Sequence, residues 1–247
     1  MLPSLLALVV LAAPVAAPAA GPASEVAEAP AAAADVPADV LIRRCVEAYG
    51  GDRGLLRLAR TRAEGTVTSA LHPGELGKVI RTYDRPGRLR LEIRFGAGRP
   101  EVRILDGARS WRYGLEAQPA FTAALQVHAA RLDLPALLSS GFSRVTERDG
   151  IVVEGQRLRV LAVEVSPEVT VEAALDPATG RILQARGVAR TGPRELEFVT
   201  RFGDFRVLDG VLMPMRETSW ANGEQTGEAV VQSVSFPEVL EDPIFQP

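Results

Sequence analysis

A period of two dominates the chain from Thr61 onward and sets the strongest limit on its fold. Leu89, Leu91, Ile93 and Phe95 alternate strictly with Arg88, Arg90, Glu92 and Arg94. One face of this segment is therefore apolar and the other charged, as in a half-buried strand. In 61–71, Arg62, Glu64, Thr66 and Thr68 take one side, and small or apolar residues take the other. The pattern predicts further strands at 101–105, 109–113, 143–147, 157–165, 168–175, 181–189, 194–202, 211–219 and 226–235. Turn chemistry separates them, at Arg85-Pro86-Gly87, Asp176–Gly180, Leu208-Asp209-Gly210 and Ala221-Asn222-Gly223. Residues 95–100 read as a hairpin loop. Strands joined by short turns, mostly without intervening helices, form an antiparallel meander. About ten strands in one sheet are expected, and a sheet of that size curls.

Two regions depart from this period. A helix is expected to start near Pro37–Asp39, with Asp39 as its N-cap. Val40, Leu41, Val46 and Tyr49 form its apolar stripe, and Gly50-Gly51 ends it. Residues 54–59 continue as a second short helix. The other departure is 119–142, where Arg131 and Asp133 are the only full charges. Phe121, Leu125, His128 and Leu132 share one helical face, and Leu134, Leu137 and Leu138 follow. So apolar a helix must be buried. The expected class is mainly β (α+β): a single large, strongly curved antiparallel sheet, an incomplete β-barrel, with an N-terminal helix and an inserted helical lid. Two outcomes stay open for the concave side, an apolar hollow suited to an acyl chain or a dry core completed by the helices.

At the N-terminus, an uncharged apolar run from Leu5 to Ala13 is followed by small residues, with Ala17 and Ala19 at the spacing of a signal-peptidase site. Residues 1–19 are read as a signal peptide cleaved near Ala19, 20–38 as an Ala/Pro-rich tether, and 39–247 as one folded domain.

Composition narrows the function. The chain carries 28 Lys plus Arg against 31 Asp plus Glu, which argues against general nucleic-acid binding. His72, His128 and Cys45 are the only histidines and cysteine, too few for a metal site of His and Cys. Cys45 reads as a small core residue and His72 as part of a turn. Nucleophile-elbow, zincin, Walker and dinucleotide signatures do not occur. The Glu195/Glu197 pair reads as solvent-facing charge, and His128 as a packed or rim residue. Neither an enzyme nor a cofactor is expected. The five arginines of 81–95 raise the question of a phosphate patch. Arg88, Arg90 and Arg94 fall on the polar face of a strand with Glu92, with Glu101 or Arg103 as candidate neighbours in an unknown register. No aromatic is placed to stack bases there. The charged face is read as solvated and partly ion-paired.

The same region resembles a known family. Tyr83–Ile93, then Ile104–Gln118 with its Asp106-Gly107 turn and Trp111–Tyr113 strand, is similar to the core of LolA-type periplasmic lipoprotein carriers. Residues 175–183 and 202–216 are similar to outer-membrane lipoprotein-sorting-like proteins of the wider LolA/LolB/RseB-like half-barrel superfamily. The resemblance implies a periplasmic monomer with helices as a lid over an apolar cavity, binding a lipid or lipoprotein acyl chain as a carrier or chaperone. The alternative is a periplasmic sensor of the same fold that binds a membrane-protein partner. Arg85, the arginine before the proline, would then reach lid backbone and latch the closed state. The expected cavity lining is Leu89, Leu91, Ile93, Phe95, Val102, Ile104, Trp111, Phe121, Leu125 and Leu132, with the concave face inferred from polarity.

Overall fold

The computed structural model describes residues 36–140 and 145–247. The signal peptide, most of the tether and the first two residues of the strand expected at 143–147 lie outside the described residues.

The chain opens with helices α1 (Ala38–Ala48) and α2 (Gly51–Leu58). Strands β1 (Arg60–Ser69), β2 (His72–Asp84), β3 (Arg88–Arg94), β4 (Glu101–Asp106), β5 (Arg109–Arg112) and β6 (Leu115–Glu116) follow. Helices α3 (Pro119–Leu132) and α4 (Leu134–Ser139) interrupt the meander. It resumes as β7 (Val145–Val153), β8 (Gln156–Ser166), β9 (Val169–Leu175), β10 (Ile182–Thr191), β11 (Arg194–Leu208), β12 (Val211–Ala221) and β13 (Glu224–Ser235). A 3-10 turn, Asp242–Phe245, closes the chain.

All thirteen strands form one antiparallel sheet in the order β6-β5-β4-β3-β2-β1-β13-β12-β11-β10-β9-β8-β7. The sheet is open, since β6 and β7 are its two edges. This order explains the lid. The first strand, β1, lies in the middle of the sheet; from there the chain winds out to one edge and must then cross to the other edge to begin β7. The α3–α4 segment makes that crossing over the concave face.

Three expectations change. Thirteen strands replace about ten, chiefly because β2 fills 72–84, where Gly74 and Gly77 break the apolar alternation. His72 opens β2, opposite Ser69, and does not sit in the turn. The N-cap of α1 is Pro37, with φ −57° and ψ 146° and no side-chain cap. Asp39 stands inside the first turn, where its charge favours the helix dipole and pairs with Arg43 at 3.3 Å. Gly50 does end α1, in the left-handed region at φ 97°. A Cβ there would lie 2.2 Å from the Gly210 carbonyl oxygen, so both conformation and space require glycine.

One end of the half-barrel is filled. Leu41, Cys45, Tyr49, Leu55 and Leu58 from α1 and α2 join Leu134 and Leu138 of α4 in one core. Val163, Val171, Val211 and Met215 supply the sheet side of that core. Burial pushes the Cys45 thiol up to about 12, so it is an inert core residue. The opposite, convex face of β3 and β4 is covered by the C-terminal 3-10 turn. Phe245 is 1% exposed, Arg88 lies over its ring at 4.8 Å, and Arg90 donates to the Ile244 carbonyl at 3.2 Å. The arginines of β3 thus clamp the chain's own end. Arg88 also pairs with Asp84 and Asp242, and Arg90 with Glu92.

Candidate functional site

The filled end leaves a hollow at the other. A cavity of about 440 Å³ lies between the concave face of the sheet and α3, within the range of about 300–1,000 Å³ typical of small-molecule sites. The two outcomes left open by the sequence thus occur together, a packed core at one end and a hollow at the other. Leu91, Ile93 and Phe95 of the β3 segment, Phe121 and Leu125 of α3, and Val67 of β1 supply apolar wall. At the mouth, the β1–β2 hairpin carries Leu71, 51% exposed. His72 there stacks on Phe95 with ring centroids 4.1 Å apart.

The alternation of β3 places its apolar residues correctly, but β4 runs in the opposite phase to that expected. Leu91 pairs with Arg103 and Ile93 with Glu101, so Arg103 and Glu101 share the concave face. Val102 and Ile104 fall opposite Glu92 and Arg90, and Trp111 opposite Ile104, all on the convex side. The segment Glu101–Asp106 holds apolar residues at both parities, so only pairing decides its face. Glu101 and Arg103 are accordingly not neighbours of Arg90. Leu89 and Leu132 are on the lid side but packed: with Tyr83, Leu105, Leu125, Ala129 and Phe121 they form a cluster fixing α3 to the sheet. Leu91, Ile93, Phe95, Phe121 and Leu125 remain at the cavity.

Arg85 meets the lid through a side chain, not through lid carbonyls. Its Nε donates to Asp133 Oδ2 at 2.6 Å, and its Nη2 donates to Asp133 Oδ1. Nη2 also donates to the Leu55 carbonyl of α2 at 3.1 Å. Asp133 lies at the α3–α4 junction and is 2% exposed. Tyr83 donates its hydroxyl to the same carboxylate at 3.1 Å. Burial raises the Asp133 pKa, and the Arg85 and Tyr83 hydrogen bonds offset only part of this, so the net direction is upward. Burial and the Asp133 charge also push up the Tyr83 phenol, which stays a donor. The contact roots the lid at the filled end. Near the mouth, α3 is held by Ser110 and Thr122, whose hydroxyls are 2.8 Å apart.

Sequence reasoning did not find the charged floor of the cavity. Arg81 of β2 grips Glu217 of β12 with two bonds, of 2.9 and 2.7 Å. Arg131 of α3 reaches the same carboxylate at 3.0 Å and donates to Thr200 at 2.6 Å. Burial alone would raise the Glu217 pKa, but Arg81 and Arg131 outweigh it and lower it to about 2. His128 Nε2 lies 3.0 Å from Arg131 Nη2. Since a guanidinium only donates, Nε2 is the acceptor and the imidazole is neutral. Burial, together with the charges of Arg131, Arg81 and Arg103, holds its pKa well below the ordinary range. Beside this group, Glu101 accepts from Arg103 Nε at 2.8 Å and Arg112 Nε at 2.6 Å. The strict alternation Val79–Arg81–Tyr83 was the available signal, because it puts an arginine on an apolar face. The Glu195/Glu197 pair is taken up by cross-strand ion pairs to Arg190 and Arg186. Among the described residues, no group of three or more His, Cys, Asp or Glu side chains could hold a metal.

No family model and no curated protein matches the sequence. Comparison with solved structures does find similar folds. A LolA superfamily protein from Nitrosomonas europaea superposes with a TM-score of 0.59 over 86% of this chain and 98% of its own, at 13% identity. The chain has a LolA-like fold. Two further structures are similar at lower scores. One is a DUF1329 family protein from Desulfovibrio piger (TM-score 0.49, 12% identity, 85% and 97% covered). The other is a putative outer membrane lipoprotein-sorting protein domain from Vibrio parahaemolyticus (TM-score 0.44, 13% identity, 83% and 94% covered). The features that define the LolA-like fold here are the open curved sheet, the helical crossing over its concave face, and the cavity between them.

Proposed function

We propose that this protein is a periplasmic binding protein, not an enzyme, that carries a lipid or lipoprotein acyl chain in the cavity beneath α3. The observation that carries the reading is the hollow itself. A well-packed interior leaves few voids larger than a water, yet here about 440 Å³ lies against Leu91, Ile93, Phe95 and Phe121. The exposed Leu71 at the mouth suits entry of an apolar chain. Burial of each methylene contributes about 0.8 kcal/mol, so a long chain would bind tightly even after ordering costs. Arg85, through Asp133, keeps the lid rooted while its mouth end yields to cargo.

Native mass spectrometry of protein expressed in a membrane-containing host tests the reading. A lipid-sized adduct, lost on organic extraction and regained on incubation with acyl-chain ligands, is the expected result. A single apo mass with no uptake of a fluorescent acyl probe at micromolar protein would overturn it.

A further inference from the structure

The polar cluster inside the cavity is not neutral. Arg81, Arg131 and Arg103 line the cavity, and with Arg112 just behind Arg103 they form one ion-paired network around two lining carboxylates, Glu217 and Glu101. His128 is neutral, so within this network cations outnumber carboxylates by two; Glu64 and Glu228, also in the lining, pair with Arg62 and Arg216 outside it. Burying uncompensated charge is costly. The root of the lid, by contrast, is a balanced pair of Arg85 and Asp133. Among the described residues, Arg103 and Arg112 each give only Nε to Glu101, which leaves their Nη groups for another acceptor. The register sets apolar and charged walls side by side, with Leu91 directly opposite Arg103 and Ile93 opposite Glu101.

We propose that the cavity recognises a single-chain amphiphile with an anionic head, a carboxylate or a phosphate, whose head sits on Arg103 beside Arg81 and Arg131. The inference rests on the acyl-chain reading above and adds the chemistry of the head. The chain would lie along Leu91, Ile93 and Phe121, and the head would supply the counter-charge that the two carboxylates lack. Arginine suits this role because its planar fork pairs with carboxylate and phosphate through two parallel hydrogen bonds. One chain fits better than several, because about 440 Å³ is near the lower end of the range for ligand sites and α1, α2 and α4 fill the other end.

Displacement of the neutral fluorescent probe N-phenylnaphthylamine from the full chain tests the inference. Competitors are palmitate, palmitoyl lysophosphatidate, monopalmitoylglycerol, hexadecanol and inorganic phosphate. Both anionic amphiphiles should compete about tenfold or more better than the two neutral ones, and the better of the two identifies the head. The advantage should shrink to about threefold or less in Arg103→Gln and as salt rises. Arg112→Gln serves as a second variant if the first does not fold. Equal competition by neutral and anionic amphiphiles would overturn the head-group assignment while leaving the cavity reading intact. Inorganic phosphate competing as well as lysophosphatidate would overturn it in favour of a simple anion site. Failure of the probe to bind at all would overturn the acyl-chain reading itself.

Discussion

Gly187 of β10 lies so close beneath Val127 of α3 that a Cβ added to it would stand 2.1 Å from Val127 Cγ1. The lid therefore rests on the sheet at a point where only a hydrogen fits. Gly187→Ala should push α3 outward and cost about 1–3 kcal/mol, read as a lower midpoint in urea unfolding. Val127→Ala in the same chain should recover part of that loss. If the double variant is less stable than Gly187→Ala alone, the contact is not the cause.

The lid's root makes a second prediction. Arg85→Leu leaves the Asp133 carboxylate buried without its cation, and should cost about 2–3 kcal/mol. The cost falls below the roughly 3–5 kcal/mol of a fully buried pair because the Arg85 side chain is 30% exposed. Arg85→Leu combined with Asp133→Leu should recover much of the loss, since an apolar pair carries no stranded charge. Thermal unfolding of the two variants checks both statements. An unchanged melting temperature in Arg85→Leu would show that the lid does not depend on this contact.

Acid should act through Glu217. Its folded pKa lies below its ordinary 4.5, at about 2, so the unfolded chain binds the proton first as pH falls. The contribution is fully present above about pH 4.5 and is lost progressively toward about pH 2. Glu217→Gln should be less stable at neutral pH, because Arg81 and Arg131 lose their counter-charge. Its melting temperature should also fall less steeply than wild type across that window. Parallel curves for the two proteins would contradict the pairing.

Blocking the cavity separates binding from folding. Ala124 lines the hollow from α3, and Ala124→Trp would fill space that is otherwise empty. Probe uptake should drop about tenfold or more, with the melting temperature held within a few degrees of wild type. Full uptake in a well-folded Ala124→Trp protein would place the ligand elsewhere.

Most strands and the lid were legible in the chain because their signals are local, whereas β2, with Gly74 and Gly77 inside it, was not. Period two in 88–95 gave β3 its inward Leu89 and Leu91 without any tertiary information, and the apolar run after Pro119 announced a buried helix. Arg85, set off from the alternation by Pro86, could be singled out in the same way, although its partner could not. The C-terminal turn gave less warning, since burial of Phe245 depends on Arg88 and Arg90, more than 150 residues earlier, and on the face they occupy.

What the sequence by itself determined is the set of amphipathic segments, the turns between them and the apolar crossing, each fixed by neighbours within a few positions. Tertiary structure alone decided the phase of β4 and the charged cavity floor. Val102, Ile104 and Leu105 offer an apolar residue to either face, and pairing with β3 settled the choice. Arg81, Arg131 and Glu217 are far apart in the chain. They meet because β13 pairs with β1 and carries β12 beside it, while the crossing between the two sheet edges lays α3 over them.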